Sequence, residues 1–263
     1  MIKFANLDQR ASHLSELMDD AQAPLLYLHN TYRDFFYLNR LVSQWRRIYK
    51  HKITPLLRRD PNKSFRLLDV GCGGGDIAYY LLKWSQADGY NLQITAIDLD
   101  ERAIRWAEQQ QEKQIQQQNQ QLEQGRQQIE FRVASTRKLL DEKKHFDLVI
   151  SNHVLHHLSD EEVSVFLEEC QQLGSTVICN DLERHPISYL IYSACFPLRF
   201  RKSFIYEDGR MSILKSFTQK ELQKWSPNNW QVTTLFPFRL LAIYHEKPTE
   251  KESLDSRARE VSV

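Results

Sequence analysis

The spacing of apolar residues changes at Phe65, and the two parts of the chain predict different structures. Before that point the spacing is helical, and one apolar helix face is formed by Leu41, Trp45, Ile48 and Tyr49. Pro61-Asn62 ends this pattern, and no strand pattern precedes it. We therefore expect residues 1–64 to form an N-terminal helical cap on the rest of the chain.

After Phe65, short apolar runs alternate with stretches of helical spacing. Five runs predict strands: residues 66–70, 91–98, 129–133, 146–150 and 176–180. Capping boxes at Ser159-x-x-Glu162 and Thr218-x-x-Glu221 mark the starts of two helices. Two further runs flank Pro237, and so short a connection requires them to pair antiparallel. This alternation predicts an α/β fold with a mostly parallel sheet and helices on both of its faces.

Composition sets the expected limits of the folded part. Of the 263 residues, 41% are hydrophobic, which excludes disorder of the whole chain. We expect one domain over residues 65–246 and a charged, disordered tail over 247–263. Residues 109–128 contain twelve glutamines, a composition that can mark an interaction or aggregation-prone segment. Their position between two strands favours instead a solvated helix end followed by a loop.

Charge and cysteine content argue against several classes of protein. The net charge of +1 gives no electrostatic reason to expect DNA or long RNA as a partner. The four cysteines include no Cys-x-x-Cys pair, which argues against a zinc ribbon or a disulfide scaffold. A membrane span would need about 18 consecutive apolar residues, and no such run exists. The N-terminus also lacks the apolar core of a signal peptide, so we expect a reduced, cytoplasmic protein.

A glycine-rich turn, Gly71-Cys72-Gly73-Gly74-Gly75, joins the first strand to its helix and lets a ligand approach the backbone closely. A dinucleotide-binding turn would have glycine at the next position, where this chain has Asp76. A carboxylate is unfavourable beside a pyrophosphate, whereas the spacing Gly-x-Gly-x-Gly is complete. The turn therefore disfavours a nicotinamide-dependent dehydrogenase.

Three motifs, in this order along the chain, resemble those of class I S-adenosylmethionine-dependent methyltransferases. They are Leu68-Asp69-Val70-Gly71-Cys72-Gly73-Gly74-Gly75, Ile97-Asp98-Leu99-Asp100 and the run from Phe146 to Leu158. A finer likeness, to small bacterial methyltransferases associated with type III polyketide synthases, rests on Met18-Asp19-Asp20, Asn39-Arg40, residues 180–184 and Phe217-Thr218. The resemblance implies a Rossmann-like, seven-stranded, mostly parallel sheet with one antiparallel strand, and S-adenosylmethionine as cofactor.

The resemblance also implies which residues bind the cofactor. They are Gly71, Cys72, Gly73, Asp98, Leu99, Ser135, Asn152 and Arg40. Asp98 would accept hydrogen bonds from both ribose hydroxyls, and Leu99 would lie against adenine. Ser135 stands where the family commonly has an aspartate that meets the adenine amino group, so adenine recognition would depend more on backbone and water. Arg40 would reach the methionine carboxylate from the helical cap.

Three histidines, His153, His156 and His157, follow the fourth strand and allow three interpretations. As metal ligands they would need further partners, and no acidic residue has a helical spacing to them, so no metal is expected. His157 could act as a general base that removes one proton from a phenol or a carboxylic acid. Alternatively, His157 could hold the loop before Ser159, which is a structural role.

Aromatic residues predict where the methyl acceptor binds. Residues 186–216 follow the fifth strand, where this fold class commonly has a cover over the acceptor site. We expect the aromatic residues of 186–206 and Phe35-Phe36-Tyr37 to line one apolar pocket. The favoured function is methylation, at oxygen, of a small aromatic or polyketide-like acceptor. An RNA or protein methyltransferase and a non-catalytic S-adenosylmethionine-binding protein remain as alternatives, and the oligomeric state stays open.

Overall fold

A seven-stranded sheet organises the chain. The computed structural model describes residues 7–118, 128–195, 200 and 202–246. The strands are β1 (Ser64–Val70), β2 (Asn91–Asp98), β3 (Ile129–Val133), β4 (Phe146–Asn152), β5 (Gly174–Leu182), β6 (Gln231–Leu235) and β7 (Arg239–His245). Their order is β3-β2-β1-β4-β5-β7-β6, and β7 runs antiparallel to both neighbours while the remaining pairs are parallel. The sheet predicted from the sequence is thereby confirmed.

Helices precede the sheet and alternate with its strands. They are α1 (Leu25–Val42), α2 (Trp45–Ile48), α3 (Thr54–Leu57), α4 (Asp76–Ala87), α5 (Glu101–Gln118), α6 (Thr136–Asp141), α7 (Asp160–Leu173), α8 (Pro186–Cys195), α9 (Ile205–Lys215) and α10 (Gln219–Trp225). A π-helical turn, Tyr49–Ile53, links α2 to α3, and short 3₁₀ turns lie at Leu17–Asp19 and Leu155–His157. Within the described residues, no helix combines the length and apolar composition that crossing a membrane requires.

The core lies on both faces of the sheet, as expected for a parallel sheet covered by helices. Along β4, Leu148 and Ile150 belong to one buried apolar cluster, whereas Val149 belongs to the other. The first cluster includes side chains of α2 and α4, and the second includes side chains of α7 and α10. Burial on both faces explains why the strands read as continuous apolar runs.

Both predicted capping boxes form and fix the starts of α7 and α10. The Ser159 hydroxyl accepts a hydrogen bond from the Glu162 backbone N–H at 3.2 Å, and the Glu162 carboxylate accepts one from the Ser159 N–H at 2.8 Å. Thr218 and Glu221 repeat this exchange. These starts are local features, so the sequence alone was enough to predict them.

The helix face predicted from Leu41, Trp45, Ile48 and Tyr49 is wrong in one respect. Trp45, Ile48 and Tyr49 are buried, but Leu41 is 75% exposed. Gln44 adopts a left-handed backbone conformation, with φ of 61°, and this ends α1 before α2 begins. Leu41 therefore belongs to a helix with a different orientation from that of the three buried residues.

Several boundary predictions fall partly or wholly outside the described residues. The first part of the glutamine-rich tract continues α5 to Gln118, and residues 119–127 lie outside the described part of the chain. The charged tail, 247–263, lies outside it as well. The division into a cap over 1–64 and a domain over 65–246 stays a prediction.

Residues 7–23, termed here the N-terminal strap, are held to the domain by polar contacts. Arg10 donates to the Lys215 backbone carbonyl at 2.6 Å, and its guanidinium lies 3.6 Å from the Phe217 ring centroid. The Asp208 carboxylate accepts from two strap backbone N–H groups at 2.8 and 3.0 Å. Arg102 donates to the Asp20 carbonyl at 2.8 Å. These contacts bring the strap to the carboxyl ends of the central strands.

Candidate functional site

A cavity of about 740 Å³ lies at the carboxyl ends of β1, β2 and β4. Its walls include the glycine-rich turn, the ends of these strands, part of α1 and four residues of the N-terminal strap. This is the edge at which open parallel sheets bind ligands. The cavity has two ends of different chemistry, one around the glycine-rich turn and one around the histidines after β4.

Glycine is required at two positions of the turn by packing, and at a third it leaves space. Gly71, Gly73 and Gly75 all have positive φ, between 51° and 77°. A side chain at Gly75 would come within 2.7 Å of the Phe131 ring, and one at Gly71 would overlap Val154. At Gly73 nothing lies within 4 Å, so its backbone faces open space in the cavity. The turn can therefore accept a ligand against Gly73.

Asp98 ends β2 and organises the backbone around the turn. Its carboxylate accepts from the Gly73 N–H at 2.8 Å and from the Asp100 N–H at 2.9 Å. One oxygen serves each bond, so both oxygens keep a lone pair for hydroxyl donors. Leu99 is 76% exposed and also lines the cavity, as an apolar surface beside this carboxylate. Asp100 also lines the cavity, and its carboxylate pairs with Arg102 at 2.9 Å.

Three carboxylates surround the turn without a cationic partner among the described residues: those of the buried Asp69 and Asp76 and of the partly buried Asp98. Burial raises the pKa of Asp76 to about 6, although the Asn39 amide donates to it at 3.0 Å. Burial, followed by the charges of Asp76 and Asp98, raises the pKa of Asp69 well above its ordinary value. One Asp69 oxygen has no hydrogen-bond partner. This end of the cavity therefore favours a ligand that carries positive charge.

Of the remaining predicted cofactor residues, three line the cavity and one does not. Cys72 is 6% exposed and lines the cavity, and burial raises the pKa of its thiol. Ser135 also lines it, and its hydroxyl caps α6 by accepting from the Lys138 N–H at 3.1 Å. Asn152 lines the cavity at the end of β4. Arg40 is exposed and outside the cavity wall, whereas its neighbour Asn39 is buried and lines it. The structure therefore does not bring Arg40 to the other predicted residues.

At the other end, His156 is a buried cation between two carboxylates. Its Nδ1 lies 2.7 Å from Asp181, and its Nε2 lies 3.3 Å from Glu16 without the alignment of a hydrogen bond. Burial disfavours the imidazolium, but the two carboxylates outweigh burial and raise the pKa of His156 to about 9. Burial raises the pKa of the Asp181 carboxyl, but the charge of His156 outweighs burial, so the pKa lies below its ordinary value.

His157 is the most accessible of the three histidines, with 31% of its side chain exposed. Its Nδ1 lies 3.2 Å from the Asp19 carboxylate and 3.4 Å from the Lys215 ammonium. Its Nε2 lies 3.7 Å from Glu16. Two strap carboxylates therefore flank this ring within the cavity wall, a position suited to a group that exchanges a proton with a ligand.

Glu16, His156 and His157 place one possible metal-ligand atom each within 4.8 Å of one another. The Lys215 ammonium lies 3.2 Å from the Glu16 carboxylate, and the raised pKa of His156 keeps its ring protonated. Both cations disfavour a metal ion at this position. The expectation of no metal stays a prediction.

The predicted aromatic pocket is wrong for most of its members. Of the two aromatic segments, Phe35 alone among the described residues lines the cavity. Phe36 packs against Tyr80, with ring centroids 4.8 Å apart. Tyr189 accepts a hydrogen bond from Arg210 of α9 at 2.6 Å. These aromatic side chains join helices to one another, because the surfaces between α1, α4, α8 and α9 also have to be filled.

Sequence reasoning missed Glu16 and Arg239 as members of the site. Glu16 and His156 are far apart in sequence and meet only in the folded chain, so no local sequence pattern indicates their contact. Arg239 begins β7, where an arginine ordinarily faces solvent, yet it is 1% exposed. One feature of the sequence could have identified Asp19 as a site residue: it lies in the Met18-Asp19-Asp20 run on which the finer family likeness rests.

One segment of the chain matches a known family of domains. Residues 68–176 match the family model described as "Methyltransferase domain". A ubiquinone biosynthesis O-methyltransferase of Roseobacter denitrificans is 28% identical over 135 residues, which are 50% of this chain and 47% of that protein. One of Caulobacter sp. is 31% identical over 130 residues, 48% of this chain and 44% of that protein. The chain thus spans about half the length of the curated relatives it matches.

Solved structures show the same fold over a larger share of the chain. The plantazolicin methyltransferase BpumL in complex with SAH aligns with a TM-score of 0.55 and 14% identity. The alignment covers 85% of this chain and 95% of that one. The methyltransferase domain of bacterial CtHen1-C aligns with a TM-score of 0.50 and 18% identity over 74% of this chain and 95% of that one. The fold is therefore the Rossmann-like methyltransferase fold.

Proposed function

We propose that this chain is an S-adenosylmethionine-dependent methyltransferase that methylates an oxygen of a small aromatic or polyketide-like acceptor. One observation carries the proposal. A single cavity joins a glycine-rich turn to a group of histidines at its other end, and three carboxylates that have no cationic partner among the described residues surround the turn. The finer likeness to methyltransferases associated with type III polyketide synthases stays a prediction.

The cofactor fits the turn by charge and by shape. S-adenosylmethionine supplies an electrophilic methyl group on a sulfonium, and its amino-acid part carries an ammonium group. The carboxylates of Asp69 and Asp76 would offset this positive charge in a buried setting, where charge–charge interactions are strong. Asp98 would accept from the ribose hydroxyls, and Gly73 offers the open backbone beside it. Leu99 would provide the apolar surface for adenine, and Asn152 a polar group at the methionine end.

In this proposal His157 removes the proton of the acceptor hydroxyl. The Asp19 carboxylate, 3.2 Å from Nδ1, would stabilise the ring once it has taken up the acceptor proton. The Glu16 carboxylate, 3.7 Å from Nε2, would stabilise the imidazolium that forms. His156 is already protonated and therefore serves as a fixed charge that holds Glu16 and Asp181 in place. The strap closes over this end and limits the access of water to the reacting groups.

Ligand binding tests the cofactor part of the proposal through two neighbouring aspartates. We expect Asp98→Ala to weaken the binding of S-adenosylhomocysteine by about 2–4 kcal/mol, or roughly 30- to 1,000-fold, because two charge-assisted hydrogen bonds are lost. Asp100→Ala, which removes the ion pair with Arg102 and the hydrogen bond from the Arg102 backbone N–H, is expected to cost under about 1 kcal/mol. Calorimetry on both variants and the wild type gives the comparison.

Each of two outcomes would contradict the cofactor assignment. Equal losses in the two variants would remove the reason to place a ribose at Asp98, since both substitutions delete one negative charge from the same loop. Absence of S-adenosylhomocysteine binding by the wild type would reject the proposed function altogether.

A further inference from the structure

A buried arginine, Arg239, lies at the end of β4, and no carboxylate of the described part of the chain contacts it. Arg239 is 1% exposed, and its guanidinium contacts three polar side chains. Nε donates to the Asn180 side-chain oxygen at 3.0 Å, Nη2 to the Asn152 side-chain oxygen at 3.1 Å, and Nη1 lies 2.6 Å from His153 Nε2. Burial lowers the pKa of Arg239 to about 10, which still leaves it charged near neutral pH.

This contact fixes the protonation of His153. A guanidinium has no lone pair to offer, so His153 Nε2 must be the acceptor of the bond from Arg239. Burial, followed by the charge of Arg239, holds the pKa of His153 well below its ordinary value, so the ring is neutral. A neutral ring that accepts at Nε2 carries its proton at Nδ1. His153 is therefore a hydrogen-bond donor at Nδ1 and can neither accept nor take up a proton there.

Hydrogen bonds from neighbouring donors also fix the orientation of the Asn152 side chain. Its side-chain oxygen accepts from Trp45 Nε1 at 2.9 Å, from Arg239 and from the Asn180 amide at 3.3 Å. Three donors to one oxygen leave only its amide N–H groups for a ligand. Both Asn152 and His153 line the cavity, and no described residue accepts a hydrogen bond from either free donor. This part of the wall therefore offers donors to oxygen atoms of a ligand.

The backbone supports a functional use of the His153 ring. His153 has φ of 62°, a left-handed conformation that costs a residue with a side chain about 1–3 kcal/mol. Its backbone N–H bonds to the Asn180 carbonyl at 3.0 Å, which helps to hold this conformation. Glycine or asparagine would meet the backbone requirement more easily. A histidine at this position places an imidazole donor where a less strained residue would not.

We propose that His153 determines the acceptor class by donating its Nδ1–H to a carbonyl oxygen of the acceptor, beside the hydroxyl that is methylated. This inference rests on the proposed function. The ring centroids of His153 and His156 are 6.1 Å apart, and those of His156 and His157 are 4.3 Å apart. In this inference the acceptor lies between His153 and His157, which both line the cavity. The acceptor class is an acylphenol, in which the carbonyl only accepts and the hydroxyl gives up its proton.

Two probes of matched shape test this inference directly. Ortho-hydroxyacetophenone carries the carbonyl, and ortho-ethylphenol has a methylene group in its place. We expect the wild type, saturated with S-adenosylhomocysteine, to bind the ketone about 10- to 100-fold more tightly, because the ethyl compound leaves the His153 donor unpaired. His153→Asn suits the left-handed backbone but withdraws the ring, and we expect it to reduce this preference to about twofold or less.

Three readouts separate this inference from its alternatives. His153→Asn is expected to leave S-adenosylhomocysteine affinity within about twofold of the wild type, as is the control His29→Asn, since His29 packs on Trp106 outside the cavity wall. A large loss in His153→Asn alone would assign the donor to the cofactor and overturn the inference. Nitrogen NMR of the wild type should show His153 protonated at Nδ1 only, from about pH 6 to 9.

The remaining outcomes are also decisive. Equal binding of the two probes by the wild type, including no measurable binding of either, overturns the inference even where S-adenosylhomocysteine binds normally. A proton on His153 Nε2 overturns it independently of any variant. Failure of the proposed function has a different signature, which is the absence of S-adenosylhomocysteine binding together with an unchanged His153 spectrum.

Discussion

The charge of His156 should be visible in the pH dependence of folding stability. We consider His156→Gln, which removes a buried imidazolium from between Asp181 and Glu16. The pKa of His156 is about 9 in the folded protein, against about 6.5 for an unfolded histidine. A folded pKa above the unfolded one means that protonation favours the folded state. The contribution is then complete below about pH 6.5 and is lost as the pH rises through about 9.

The size of the effect follows from this difference in pKa. At about 1.4 kcal/mol for each pH unit, His156 contributes roughly 3 kcal/mol to the free energy of unfolding near pH 6. His156→Gln also leaves two buried carboxylates without their shared cation, a loss typically of about 3–5 kcal/mol. We therefore expect the variant to be less stable than the wild type by about 3–5 kcal/mol near pH 6, with most of that difference gone near pH 10.

Urea denaturation of both proteins at several pH values measures this difference. His145→Gln, at an exposed position, controls for the loss of an imidazole and should change the free energy of unfolding by less than about 0.5 kcal/mol. A difference between wild type and His156→Gln that stays constant from about pH 6 to 10 would refute the reasoning, because it would mean that the ring does not titrate in this range.

Two further predictions concern the base and the helix start after it. Asp19→Asn is expected to lower the rate of methyl transfer to ortho-hydroxyacetophenone by roughly tenfold or more, because His157 loses the carboxylate that orients it; S-adenosylhomocysteine affinity should not change. Asp20→Asn, at the next position, which is also exposed, is the control, and equal losses in the two variants would contradict the assignment. Ser159→Ala should lower the free energy of unfolding by about 1 kcal/mol in thermal denaturation, since it removes the cap of α7, and an unchanged melting temperature would count against it.

The parts of this structure that were predictable are those determined by neighbours in sequence. The strand ending at Asp98 and the helix starting at Ser159 follow from apolar spacing and capping residues, which act over a few positions. Asp98 could be assigned to the binding edge because parallel strands all end there. The end of α1 at Gln44 was not predictable, since a left-handed glutamine leaves no mark on the apolar pattern.

The charged end of the cavity was less predictable because tertiary contacts create it. His156 becomes a cation near neutral pH only once Glu16 and Asp181 are buried beside it, and these three residues are far apart in sequence. Arg239 fixes the proton on His153 from a strand on the opposite side of β5, which no spacing rule connects to the histidine run. The sequence identified the histidines of the site, but their protonation states depend on contacts that only the folded chain makes.

The strap is a part of the cavity wall that can be exchanged without touching the glycine-rich turn. That turn, the end of β2 and the histidines after β4 all lie within residues 68–176, the segment that matches the family model. Glu16 and Asp19, which flank His157, come from the strap outside that segment. Replacement of the strap by the corresponding stretch of a relative would therefore alter the surroundings of the histidines and leave the glycine-rich turn as it is.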